Sequence, residues 1–147
     1  MTGIPGHHAA SIAIVDPWTG WLLTGDTVYP GRLYIEDLPA FVDSLDRLVD
    51  LAEARAVTNV LGCHIELTTR PGVDHPLGTP WHPDEPNLAM TIDQLRAIRA
   101  AAHRLSDRPQ TLVTDDAILW VGRPLGAILR QVGRGLAARI RWRFGRG

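Results

Sequence analysis

Between residues 11 and 61 the apolar residues switch from short extended runs to a helical spacing and back, which selects a strand–helix–strand path. Residues 11–25 hold two short apolar runs around Asp16-Pro17-Trp18-Thr19-Gly20, where Pro and Gly suit a tight turn, so a hairpin is predicted. Residues 38–54 then place Leu38, Phe41, Val42, Leu45, Leu48, Val49 and Ala52 at spacings of three and four, as in an amphipathic helix. Val57 to Leu61 forms a short apolar strand closed by Gly62. Such a unit normally makes a right-handed crossover between parallel strands, so 57–61 is expected parallel to 21–25, in an α/β fold.

This path brings distant residues together. His7 precedes the first hairpin strand and Asp26 follows the second, so both are expected at the same end of the hairpin. His64 leaves the carboxyl end of strand 57–61 and emerges beside Asp26, on the sheet edge where sites form in open α/β sheets. Imidazole and carboxylate are ordinary metal ligands. The plainer reading keeps His7 as a loop residue, Asp26 as the start of a turn and His64 as the end of a strand.

Further along, residues 65–90 carry five of the eleven prolines and little regular patterning; long connections of this kind are often functional. A helix is expected over 91–105, with Thr91 as N-cap and Ile92, Leu95, Ile98 and Leu105 on its buried side. Thr111 to Val121 reads as a hairpin or two short strands turning at Asp115-Asp116. Residues 124–144 read as a helix with Leu125, Ile128, Leu129, Val132, Leu136 and Ile140 on one stripe, weakened by Gly126, Gly133 and Gly135.

Charge divides the chain at the same place. Residues 1–122 hold 8 Arg against 16 acids, a balance of −8, and residues 123–147 hold 7 Arg and no acid, a balance of +7; there is no Lys. The domain reading is therefore a body over 1–122 and an Arg-rich amphipathic tail over 123–147. The tail has three readings: a solvated surface helix, a weak contact with an anionic membrane surface, or a nucleic-acid contact. The last is disfavoured because Gly-Arg-Gly without an aromatic platform is a weak signal. Arg139 and Arg143 fall close to the apolar stripe and blur its amphipathicity. No run approaches a transmembrane length, the start has no secretory pattern, and the single Cys63 excludes an internal disulfide, so the expected compartment is the cytoplasm.

Three ordered segments carry a family resemblance: Pro5-Gly6-His7-His8-Ala9-Ala10-Ser11-Ile12, then Leu23-Thr24-Gly25-Asp26-Thr27, then Leu61-Gly62-Cys63-His64. They resemble successive motifs of the metallo-β-lactamase-fold hydrolases, with agreement in order and spacing over residues 3–66. The intervening Val28-Tyr29-Pro30-Gly31-Arg32-Leu33-Tyr34 is similar as well. The resemblance implies half of an αββα sandwich, the C-terminal half, to which the charge and spacing of residues 123–147 add a basic helix. It implies zinc, up to two ions, with iron or manganese as alternatives. His7 would ligate one ion, Asp26 would bridge two and help position the nucleophile, and His64 would ligate the second. The reaction would be hydrolysis of an ester, thioester, lactone or similar bond in a small-molecule substrate by metal-bound hydroxide.

The family's His-x-His-x-Asp-His motif is absent from residues 1–147. The resemblance therefore implies a fragment whose centre needs an N-terminal half, and a hairpin sheet with an apolar face that a partner half or a homo-oligomer would cover. The alternative is a non-catalytic module that binds a partner or a membrane surface. Other residues are read plainly: His8, His75 and His82 as loop histidines, Cys63 as a small buried residue, Asp84-Glu85 as solvated or capping, and Trp18 and Trp21 as core packing.

Overall fold

In the computed structural model, which describes residues 1–144, the fold is mixed α/β with two sheets and three helices. The chain opens with a two-residue strand, β1 (Thr2–Gly3), that pairs antiparallel with β2 (Ile12–Asp16). β2 and β3 (Trp21–Gly25) form the expected hairpin. Asp16 builds its turn: Thr19 Oγ1 donates to Oδ2 at 2.7 Å and the Trp18 N–H donates to Oδ1 at 3.0 Å. These bonds, the Thr19 hydroxyl first, hold the Asp16 carboxyl below its ordinary pKa.

A strand not foreseen, β4 (Arg32–Ile35), comes next, followed by α1 (Leu38–Ala54) with the predicted bounds. The Asp37 side chain caps α1 by accepting from the Ala40 N–H at 3.0 Å. The helix buries Leu38, Phe41, Leu45, Leu48, Val49 and Ala52, as the spacing requires. β5 (Asn59–Gly62) then lies parallel to β3, with Leu22 opposite Val60, so the crossover rule holds here. β6 (Ala89–Met90) completes a five-stranded sheet of order β1-β2-β3-β5-β6.

α2 (Ile92–Ala102) has the predicted Thr91 N-cap in a reciprocal capping box with Gln94. It ends at Ala102, so Leu105 packs from beyond the helix. β7 (Gln110–Val113) and β8 (Ile118–Val121) form an antiparallel pair. β8 also lies parallel to β4, giving a second sheet of order β4-β8-β7. Lying between two strands and covered on both faces, β8 is buried at all four positions, which explains its unbroken apolar run Ile-Leu-Trp-Val.

One core joins the inner faces of both sheets to α1 and α2: Ala13, Leu22 and Val60 from the first sheet, Leu33, Ile35, Leu119 and Val121 from the second, with Phe41, Leu45, Leu95 and Ile98. The period of two in β2 and β3 puts Ile12, Ile14, Trp21 and Leu23 on the opposite face, which is partly open to solvent. Trp21 therefore does not serve core packing as expected. Trp18, at the hairpin tip, is 94% exposed and corrects the same expectation.

The last helix, α3 (Leu125–Phe144), covers the far face of the second sheet through Ala127 and Ile128, which pack with Tyr34, Leu67, Ile118 and Trp120. Its orientation is unusual. Ala127, Gln131 and Gly135 are buried, while Leu125, Leu129, Val132, Leu136 and Ile140 of the apolar stripe are exposed. Backbone approach sets this choice. Leu77 of the 65–90 segment comes so close that a Cβ on Gly135 would collide with the Leu77 carbonyl, and the Leu77 N–H donates to Gln131 Oε1 at 3.2 Å.

Candidate functional site

Asp26 and His64 follow β3 and β5, two parallel neighbours, and so emerge side by side at their carboxyl edge. His64 Nδ1 lies 3.2 Å from Asp26 Oδ1, with both side chains 45% exposed. The His64 ring also packs on Tyr29, centroid to centroid 4.2 Å at an interplanar angle of 41°. Gly62 permits that approach: a Cβ there would overlap Tyr29 and lie 2.7 Å from the Val28 carbonyl. Below Asp26, Thr24 Oγ1 donates to the Val28 carbonyl at 2.7 Å and clamps the turn that presents the carboxylate.

His7 enters from the loop between β1 and β2. Its neighbour Gly6 accepts from the Glu36 and Asp37 N–H groups, which ties the loop to the start of α1. His7 Nδ1 lies 2.8 Å from the Tyr34 carbonyl. A carbonyl can only accept, so Nδ1 carries the proton, and in the neutral ring it is Nε2 that has the lone pair. Backbone carbonyls orient metal-binding histidines in this way.

His7 and Asp26 line one open cavity of about 330 Å³, together with His8, Ser11 and Thr24. His7 also borders a larger cleft of about 920 Å³ at the carboxyl edge of β4 and β8, lined by Tyr34, Glu36, Trp120, Arg123 and Gln131. The fold thus brings Asp26 and His64 into contact and places His7 on the same cavity as Asp26. Among the described residues, no group of three or more His, Cys, Asp or Glu side chains converges closely enough to hold a metal ion. Imidazole and carboxylate are ordinary donors to a divalent ion, and the Tyr34 carbonyl fixes the side of the His7 ring that carries Nδ1–H.

The neighbouring residues revise several expectations. Cys63 is exposed, because it leaves the sheet just after β5, and is a free thiol. His8 is an exposed loop residue whose Nδ1 accepts from the Ala10 N–H at 3.1 Å. His75, expected in solvent, is buried and stacks on His82 at 4.2 Å with rings within 4° of parallel. Burial, followed by the His82 charge, lowers the His75 pKa from its ordinary value. Asp84 and Glu85 are partnered rather than simply solvated: Asp84 lies 3.4 Å from His75 Nε2 and Glu85 lies 3.0 Å from His82 Nδ1.

Arg32 organises a buried ionic network that sequence reasoning missed. Its guanidinium meets Glu66 and Asp74 at 2.6 Å each and donates to the His75 carbonyl at 2.8 Å. Burial opposes the charge on Arg32, yet Glu66, Tyr34 and Asp74 outweigh it and raise the pKa. Asp74 also accepts from Gln131, and from Arg134 at 2.7 Å, so this network fastens α3 to the 65–90 segment. Tyr29 links it to the Asp26–His64 edge by donating to Glu66 at 3.0 Å. The available signal was a lone arginine ahead of the apolar Leu33-Tyr34-Ile35.

No protein-family model, curated protein or solved structure matches this chain.

Proposed function

We propose that this chain supplies His7, Asp26 and His64 to a metal-dependent hydrolase centre of the metallo-β-lactamase type, completed by donors from a partner half. The observation that carries the reading is the 3.2 Å contact of Asp26 with His64 at the carboxyl edge of β3 and β5, with His7 on the same cavity. A bound divalent ion supplies Lewis acidity and brings the pKa of water toward neutrality. The Tyr34 carbonyl keeps His7 Nε2 available for coordination, and Tyr29 restrains the His64 ring. Asp26 offers a carboxylate fixed by the Thr24 clamp. The cleft beside His7 gives a small substrate room next to these groups.

The sandwich reading draws support from the five-stranded sheet, whose face bearing Ile12, Ile14, Trp21 and Leu23 lacks a covering layer among the described residues. A complementing half, or a second copy, would cover it. The exposed, unpaired Cys63 accords with a reducing compartment such as the cytoplasm.

The test is calorimetric titration of the full chain with Zn²⁺, for wild type and the variants His7→Ala, Asp26→Ala and His64→Ala. Each substitution is expected to weaken binding at least tenfold. Wild-type affinity in all three variants would overturn the assignment. In the complemented centre, Asp26→Ala is expected to lower turnover by orders of magnitude.

A further inference from the structure

We infer that the outward face of α3 docks on an anionic membrane surface, lying along it rather than crossing it. The face consists of Leu125, Leu129, Val132, Leu136 and Ile140, each 45–71% exposed, and ends at the exposed Phe144. Such a continuous apolar stripe on a surface helix marks an interaction site. An amphipathic helix normally turns its large apolar residues inward, but α3 packs on its body through Ala127, Gln131 and Gly135 and leaves the stripe to something else.

Charge selects the occupant. Residues 123–147 carry 7 Arg and no acid. At about 100° per residue, helical spacing sets Arg143 within the stripe at its last turn and places Arg130 and Arg141 on the flank beyond Ile140, Arg141 also lining the cavity against the 65–90 segment. Among the described residues these three have no carboxylate within ion-pair distance, unlike Arg134, which binds Asp74. Arg139, which borders the other edge, bends away and donates to the Gly78 carbonyl at 3.0 Å, so the stripe is cleaner than its sequence suggests. A second copy docking through this stripe would bring like charges together. An anionic bilayer accepts the alkyl groups between its headgroups while the guanidinium groups reach the phosphates. Among the described residues no helix is long and apolar enough to cross a membrane, in keeping with a helix that lies in the interface.

The experiment is sedimentation of the full chain with vesicles of phosphatidylcholine alone or mixed with phosphatidylglycerol, at low and high salt. Binding to the mixed vesicles is expected to exceed binding to phosphatidylcholine at least tenfold, and to fall at least tenfold when salt shortens the Debye length to about 4 Å. Leu129→Gln with Leu136→Gln should reduce binding at least tenfold, with helix content checked by circular dichroism. Arg130→Gln with Arg143→Gln should do the same while keeping every apolar residue of the stripe. Trp18→Gln, an exposed aromatic elsewhere, should leave binding unchanged. No binding, equal binding to both vesicles, or wild-type binding by both double variants would overturn the inference. So would a dimer in solution that Leu129→Gln dissociates. None of these substitutions touches His7, Asp26 or His64, so this result stands apart from the zinc titration.

Discussion

Asp26 and His64 meet at the ends of two parallel strands, Oδ1 to Nδ1 at 3.2 Å, although they stand 38 positions apart in the chain. Both side chains are nearly half exposed, and an ion pair in that setting stabilises a fold by no more than about 1 kcal/mol. Asp26→Asn keeps an acceptor for the His64 ring and removes the carboxylate charge. The expected outcome is a melting temperature close to wild type with at least a tenfold loss of Zn²⁺ affinity, read by thermal unfolding and calorimetry. A large loss of stability with unchanged zinc affinity would assign the pair to the fold alone.

Arg32 lies at the opposite extreme. It is almost fully buried between Glu66 and Asp74, and its removal leaves two acids without their main cation. Arg32→Met is expected to destabilise the protein by about 3–5 kcal/mol, the usual cost of breaking a buried pair on one side. Urea unfolding followed by tryptophan fluorescence measures it.

His75 gives the protein a pH dependence with a defined sign. Its folded pKa lies below the ordinary value of 6.5, so on acidification the unfolded chain takes up the proton first. The contribution of the neutral ring is complete above about pH 6.5 and is lost as pH falls from there toward the folded pKa. The difference in unfolding free energy between wild type and His75→Gln should shift against wild type across that acidic window. A difference independent of pH between 7 and 5 would contradict this.

Two glycines of α3 should respond oppositely to alanine. At Gly133 a Cβ meets nothing within 4 Å, so Gly133→Ala is expected to stabilise the helix by about 0.5–1 kcal/mol. At Gly135 the new methyl would collide with the Leu77 carbonyl, so Gly135→Ala is expected to lower stability despite its better helix propensity. Thermal unfolding of the two variants side by side checks both signs.

The sequence disclosed those elements whose local pattern is strong. The β2–β3 turn, the seven-residue face of α1, the Thr91 cap and the β7–β8 pair each depend on neighbours in the chain, and a handedness rule carried β5 to the side of β3. β4 stayed hidden because it is four residues long, begins with an arginine and draws its partner from β8, far along the chain. The site divides the same way. The Asp26–His64 encounter follows from parallel strands, whereas the tie from His7 to the Tyr34 carbonyl runs through the unseen β4. The facing of α3 was likewise illegible, since it depends on how closely the Leu77 backbone approaches Gly135 rather than on which residues are apolar.

Asp74 receives Arg32 from β4 and both Gln131 and Arg134 from α3, all on one carboxylate within the 65–90 segment. A single anchoring group shared by three segments makes their local unfolding one event. Once the Asp74 turn opens, α3 loses much of its polar attachment, and the second sheet loses the cover over Ile118 and Trp120. Amide hydrogens of α3 engaged in helical bonds and those of Thr68 and His75 should therefore exchange with a common opening free energy, below that of the core around Phe41 and Leu119.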